Sequence, residues 1–404
     1  MMVRTLKIAG CRIFQATYRM LSYLVSWKEP DLIQGPGSVN TLPEAIRARG
    51  ITKVLLVTDK GIRSLGLTIA LEEKLGEAGI GFAVYDGVQP NPTVENIEEA
   101  KELYFKNACE GFIAFGGGSP MDCAKGAAAR VANPRKPMRK MKGMVRVRHR
   151  VPPVFAVPTT AGTGSEATIV TVVTDAAKHE KYAVNDPKLR PRVAVLDPEL
   201  TTGLPRHITA ATGMDALTHA VEAYIGGSNT KKSARYALEA VELVFSNLRT
   251  AVENGRDIEA RGNMLRASYL AGVAFTRAYV GYVHALAHAL GGLYDIPHCL
   301  ANAVILPYVL AYYGETAQKK YARLADAAGV SGAGMGESQK AASFLEAVRA
   351  LNTAVGIPEH LPRIEEKDIP LIVKRVLREG NPLYPVPKIM DKTDCEKVIR
   401  AVKG

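Results

Sequence analysis

Tryptophan occurs once in these 404 residues, cysteine five times, and no apolar run reaches the roughly 18 residues that a bilayer-spanning helix needs. No membrane partner is expected on that ground. Cys11, Cys109, Cys123, Cys299 and Cys395 make an odd count with no CxxC pair. That argues against a disulfide framework and for a reducing compartment, with the cytoplasm as the expected location. Acidic residues are missing from two stretches: residues 1–28, with five Lys/Arg, and Arg135–Arg150, with eight. Together these carry +13 against a net charge of +12, so the rest of the chain sums to −1. The basicity is local, and Arg135–Arg150, the denser patch, holds none of the aromatics that base stacking uses, so no nucleic-acid partner is expected.

With 47% hydrophobic and 23% charged residues, the chain is ordinary globular material, long enough for two domains. In the first half, β-rich runs alternate with amphipathic stretches, the pattern of βαβ units and a parallel sheet. Strands are predicted at 53–58, 81–85, 111–115, 154–157 and 193–196, with helices near 62–78, 93–107 and 121–131. From about Pro205 the apolar spacing becomes helical, as in Ala216–Ala220–Tyr224 and Ala237–Val241–Phe245. The expected organisation is an α/β domain over 1–204 and an all-helical domain over 205–404. Residues 1–30 read as an extra amphipathic helix with Ile8, Phe14, Leu21 and Val25 toward one side. A transit peptide is the alternative for that acid-free segment.

Two loops carry phosphate chemistry. Phe115-Gly116-Gly117-Gly118-Ser119-Pro120-Met121-Asp122 follows a predicted strand and opens a predicted helix. Glycines there allow close backbone approach, and the helix start offers unpaired N–H groups. The spelling is not GxGxxG, so the usual dinucleotide signature is absent. The second loop, Pro158-Thr159-Thr160-Ala161-Gly162-Thr163-Gly164-Ser165, adds hydroxyls suited to phosphate or ribose oxygens. Asp59, after the first predicted strand, can accept from a ribose 2′-hydroxyl and would repel a 2′-phosphate, which favours NAD over NADP. A plain helix cap is its other reading.

A third constellation suits a metal. Asp215 and His219 are four residues apart on one predicted helix, as are His284 and His288, and His298 follows closely. Only eight histidines occur in the chain, and three of them fall within fifteen residues in an Ala/Leu-rich setting. Neutral imidazoles in apolar surroundings need a partner, and a mixed O/N set suits Fe(II) or Zn(II) over Ca or Mg. Spacing alone leaves open which of His284 and His288 is the ligand.

GGGSPMDCAK, PTTAGTGSE, Gly213-Met214-Asp215-Ala216 with His219, and HALAHALGGLYDIPH followed by Ala301-Asn302-Ala303 occur in this order. Together they resemble the iron-containing (group III) alcohol dehydrogenase family from about Gly35 to the C-terminus. The resemblance implies an NAD-binding α/β domain, a helical domain and a site in the cleft between them. It also implies metal ligation by Asp215, His219, His284 and His298, with His288 as a non-ligand histidine in a proton path. Gly117, Gly118, Ser119, Asp122, Thr159, Thr160, Thr163 and Lys181 match cofactor-contacting positions, and Asp59 and Asn91 match more loosely. The implied activity interconverts an alcohol and an aldehyde or ketone with NAD(H) and Fe(II), or Zn(II), in a homodimer. A hydroxyacid–oxoacid transhydrogenase, and a metal enzyme of the dehydroquinate synthase or glycerol dehydrogenase group, are the alternatives. Cys299 stands where the family commonly has Gly, and a space-filling role is expected for it.

Overall fold

The computed structural model describes residues 2–22, 28–176, 180–361 and 363–404. In chain order the elements begin with α1 (Met2–Ser22), β1 (Asp31–Gln34), α2 (Leu42–Arg47), β2 (Lys53–Val57), α3 (Lys60–Ser64), α4 (Ile69–Glu77), β3 (Gly81–Tyr85) and α5 (Val94–Lys106). There follow β4 (Gly111–Gly116), α6 (Gly118–Ala132), β5 (Gly143–Met144), β6 (Val154–Pro158), β7 (Val170–Asp175), β8 (Glu180–Asn185) and β9 (Val193–Leu196). The remainder is helical: α7 (Arg206–Ile225), α8 (Lys231–Glu253), α9 (Ile258–Ala278), α10 (Tyr282–Tyr294), α11 (His298–Tyr313), α12 (Gln318–Ala327), α13 (Glu337–Ala354), α14 (Ile369–Gly380) and α15 (Lys392–Lys403). No described helix is long and apolar enough to cross a membrane.

Two compact units emerge. One comprises Lys28–Leu204 and Gly255–Tyr269; the other comprises Met1–Trp27, Pro205–Asn254 and Leu270–Gly404. Residues 255–269 thus group with the sheet, and the first helix groups with the helical unit.

The first unit is built on a six-stranded parallel sheet in the order β1-β9-β6-β4-β2-β3. Its central strands are apolar on both faces because helices cover both. Leu55, Val57, Phe112, Ala114 and Ala156 point into one core with α5 and α6, while Val54, Leu56, Ile113, Phe115 and Val157 point into the other with α2 and α4. Being parallel, all six strands end at the same edge, where Asp59, Gly116 and Thr159 follow their strands. The five predicted strands lie in this sheet. β1 is additional: only Leu32 and Ile33 mark it, and pairing with β9 holds it. A smaller sheet, β5-β8-β7, was also not foreseen. The helix expected over 62–78 is two helices, α3 and α4, separated at Leu65–Thr68 around Gly66, whose φ is +68°.

In the helical unit, α7 is buried along most of its length, α10 buries nearly every residue of its first two turns, and α11 is buried from Ala301 to Pro307. Helices apolar all round are interior helices. α7 packs on α8 and α11, and α10 packs on α11 and α14. The inward side of α1 differs from the expected one: Ile8, Cys11 and Gln15 turn toward the unit, and Phe14 is exposed. The surface beneath α1 is an irregular loop with carbonyls to satisfy, so an amide rather than a phenyl ring faces it. Val25, assigned to the same face by sequence, lies outside the described residues.

Candidate active site

The glycine-rich loop between β4 and α6 is shaped by its backbone. Gly116 has φ +143°, and a Cβ there would sit 2.7 Å from Pro120 Cγ, so only glycine fits. Gly117 is the N-cap of α6, leaving the first N–H groups of that helix, Gly118 and Ser119 among them, at the sheet edge. The second loop lies against the first. Thr159 N donates to Gly116 O at 3.0 Å, and Thr160 and Thr163 back onto Gly117 and Gly118. Asn91, in the loop after β3, donates its backbone N–H to Ser119 Oγ at 3.3 Å.

Asp122 and Lys125, one and two turns further into α6, tie the two loops together. Lys125 is fully buried, and four oxygens surround its ammonium to share three hydrogens: Ser165 O (2.5 Å), Ser165 Oγ (2.9 Å), Thr168 Oγ1 (2.9 Å) and Val170 O (3.0 Å). Burial pushes its amine down to about 8, and burial likewise raises the Asp122 carboxyl to about 6. Lys125 stands in the GGGSPMDCAK stretch but was not singled out by sequence; a buried cation is invisible until the partner carbonyls are placed.

Two expected cofactor residues stand further out. Asp59 does act as a helix cap, its Oδ1 accepting from Ile62 N at 2.9 Å, while lying at the end of β2 beside β4. Lys181 is exposed on β8, opposite Thr174, whose amide donates to Pro92 O at 2.9 Å. The structure therefore brings Gly117, Gly118, Ser119, Asp122, Thr159, Thr160, Thr163 and Asn91 together, with Asp59 and Lys181 at the margin.

In the helical unit, Asp215, His219 and Glu222 lie at i, i+4 and i+7 on α7 and share one face. His284 and His288 lie one turn apart on α10, and α11 begins at His298. Donor atoms of Asp215, His284 and His298 lie within 4.8 Å of one another. All three approach a single group, Asn302 Nδ2: Asp215 Oδ1 at 2.7 Å, His298 Nε2 at 3.1 Å and His284 Nε2 at 3.2 Å. An amide has two hydrogens and cannot serve three acceptors, whereas one cation can. Burial pushes the His298 imidazole down to about 3 and His284 well below its ordinary value, so both are neutral with lone pairs to give. The donor set fits a divalent metal of the Fe(II) or Zn(II) type.

His219 stands beside this cluster rather than within it. Its ring packs 4.5 Å from that of His284 and 4.3 Å from Phe275, and its buried Nδ1 has no hydrogen-bond partner. Cys299 does more than fill space: its Sγ donates to Asp215 Oδ2 at 3.2 Å, on the carboxylate oxygen away from Asn302.

Two carboxylates that sequence reading passed over hold the imidazoles. Glu222 Oε2 accepts from His284 Nδ1 at 2.6 Å, and the same carboxylate takes the N–H groups of Gly281 and Val283, both at 2.8 Å. It caps α10 and fixes the His284 proton on Nδ1, leaving Nε2 as the donor atom. Gly281 is required for this approach, since a Cβ would lie 2.7 Å from Glu222 Oε1. Burial raises the Glu222 carboxyl to about 7. Glu379, at the end of α14, accepts from His288 Nδ1 at 2.7 Å and from the Tyr384 hydroxyl at 2.8 Å on the same oxygen. Periodicity on α7 contains the signal for Glu222; nothing local marks Glu379, which is 91 residues from its histidine.

Comparison with known proteins matches residues 30–198 to the iron-containing alcohol dehydrogenase family and residues 209–402 to the C-terminal region of the Fe-containing alcohol dehydrogenase family. The chain is 40% identical over 389 residues to the 1,3-propanediol dehydrogenase of Citrobacter freundii, covering 95% of this chain and 99% of that one. A crystal structure of a 1,3-propanediol oxidoreductase superposes with a TM-score of 0.90 at 38% identity, covering 93% of this chain and 99% of the other. Sulfoacetaldehyde reductase from Bifidobacterium kashiwanohense, solved in complex with NAD+, superposes with a TM-score of 0.84 at 28% identity, covering 93% and 98%.

Proposed function

The chain belongs to the iron-containing alcohol dehydrogenase family, and on that premise we propose which of its residues carry each part of the chemistry. It is an NAD-dependent alcohol dehydrogenase that interconverts alcohols with aldehydes or ketones. The metal ligands in this reading are Asp215, His284 and His298, whose donor atoms converge, with His219, one turn after Asp215 on α7 and beside them, as the fourth. A divalent ion bound there supplies Lewis acidity, which acidifies an alcohol and polarises a carbonyl. Bound NAD(H) supplies the hydride acceptor or donor.

The chain's own groups do the rest. Asp215 brings the compensating negative charge. Glu222 keeps the His284 lone pair on Nε2. His288 takes the substrate proton at Nε2 during oxidation and returns it during reduction, and Glu379 at Nδ1 stabilises the imidazolium in between. The N–H groups at the start of α6 and the hydroxyls of Thr159, Thr160 and Thr163 receive the pyrophosphate and ribose, with Asn91, Asp122 and Lys181 at their edges. Asp59 disfavours a 2′-phosphate, so NAD is preferred to NADP. Fe(II) is the proposed metal, with Zn(II) the competitor for the same donors.

The observation that carries the reading is the convergence of three acceptor atoms on the one Asn302 amide. The test reconstitutes the protein with Fe(II) or Zn(II) and assays a panel of small alcohols and aldehydes with NAD and NADP. Turnover with NAD that disappears on chelation and in His284→Ala is expected. Full activity and unchanged metal content in His284→Ala would refute the ligand assignment.

A cytoplasmic homodimer completes the proposal. Five free thiols suit a reducing compartment, and β1 is an edge strand with Leu32 exposed, suited to pairing with a second copy. Mass photometry should give a particle of twice the 43.5 kDa chain mass.

A further inference from the structure

The segment from Pro382 to Pro387 contains three prolines and no regular secondary structure, so its carbonyls must find partners outside a ladder or helix. α1 supplies most of them. Arg12 donates to Val386 O at 2.7 Å and to Pro387 O at 2.6 Å, and Gln15 Nε2 donates to Tyr384 O at 2.7 Å and Pro382 O at 3.1 Å. Arg12 also donates to Gln15 Oε1 at 2.9 Å, which holds the amide with its NH2 toward the segment. Gln15 is buried, which is uncommon for that residue and costs free energy unless its bonds are made. The only residue of this segment with a polar side chain, Tyr384, reaches the Glu379 oxygen that orients His288.

We propose that α1 is a clamp: Arg12 and Gln15 fix the Pro382–Pro387 segment, and through Tyr384 and Glu379 they set the orientation of the His288 ring. α1 lies before the spans matched to the family, which begin at residue 30. It reaches the residues behind His288 through three successive hydrogen-bonded contacts. Arg12, Gln15 and Tyr384 are positioning residues. The catalytic consequence rests on the proton-transfer role of His288 proposed above; the structural consequence does not.

The zinc-loaded full chain, labelled with 15N at histidine, tests it. In the wild type, His288 should give the pattern of an Nδ1–H ring bonded to a carboxylate. In Arg12→Ala/Gln15→Ala the pattern should shift toward a mixture with the Nε2–H form, and amide exchange in the peptide spanning 380–391 should accelerate. The same variant should lose kcat by roughly tenfold, below the roughly 100-fold or more of a general acid–base group itself, with KM for NAD and metal content unchanged. Adding Tyr384→Phe should cost little more, because both act on one oxygen. Arg12→Lys should restore part of the loss, and Arg12→Ala alone gives the same ring readout should the double variant fail to fold. An unchanged His288 ring pattern, or a kcat loss that adds fully to that of Tyr384→Phe, overturns the clamp. Wild-type turnover in His288→Gln would instead defeat the proton-transfer role, with the ring pattern still deciding the clamp.

Discussion

The glycine-rich sheet edge and the histidine cluster are built on opposite principles. At the sheet edge the functional groups are mostly backbone N–H and small hydroxyls, and two loops of about ten residues supply nearly all of them. Their placement follows from parallel strands ending together and from a helix starting where a strand stops. In the helical unit the functional groups are side chains from α7, α10 and α11, with α14 and the loop after it behind them. No backbone regularity gathers those. The cluster exists because apolar helices pack at fixed separations, and the carboxylates of buried Glu222 and half-buried Glu379 then choose which nitrogen of the His284 and His288 rings carries the proton. A site made of backbone is tolerant of its surroundings; a site made of buried side chains depends on a second layer.

The largest test of that difference removes a proposed ligand. His284→Ala should lose its metal and fall about 1000-fold or more in kcat/KM, as the loss of several kcal/mol of Lewis-acid assistance implies. NADH affinity, followed by fluorescence titration, should stay within about threefold if the loops bind through their own backbone groups. A collapse of NADH binding would show that the two sites are not separable.

Next in size is the second layer. Glu222→Gln keeps the shape but removes the charge that holds the His284 tautomer, and metal affinity should drop about 10- to 100-fold in a competition titration with a chromophoric chelator. An unchanged affinity would remove the distinction between backbone-built and side-chain-built sites.

The corresponding injury at the sheet edge is smaller. Gly116→Ala places a Cβ against Pro120 at a positive φ, and should lower stability by about 1–3 kcal/mol, seen as a reduced melting temperature. KM for NAD should rise while metal content is retained. The smallest effect is expected from Asp59→Asn, which keeps the cap to Ile62 and removes the charge. The ratio of NADP to NAD efficiency should rise roughly tenfold, equivalent to about 1.4 kcal/mol.

Legibility differed between the two regions for the same reason. Alternation of apolar runs and helical stretches revealed five strands of the main sheet, because buried central strands must be apolar on both faces. β1 escaped because an edge strand of four residues, mostly exposed, has no such requirement. β7 and β8 escaped because they lie outside the main sheet, pairing with each other and, for β8, with the two-residue β5. Around the proposed metal site, Asp215, His284 and His298 were recognisable from spacing and resemblance, while Glu222, one turn beyond His219 on the same face of α7, was not read as part of that pattern. Glu379, Tyr384, Arg12 and Gln15 were not recognisable at all. Glu379 meets His288 across 91 residues and Arg12 meets Val386 across 374, and no periodicity carries such distances; Tyr384 lies five residues from Glu379 but gains its meaning only through that long-range contact.

By itself the sequence determined the sheet-then-helix order, the two phosphate-type loops and the residue types available to a divalent cation, because those follow from local spacing and chemical identity. Tertiary structure alone decided that three lone pairs meet at one point and that His219 stands beside them. It alone decided that Cys299 touches Asp215 and that the first helix reaches the residues behind His288. Side-chain convergence depends on the packing of distant helices, a property of three-dimensional distance that neighbours in the chain do not encode.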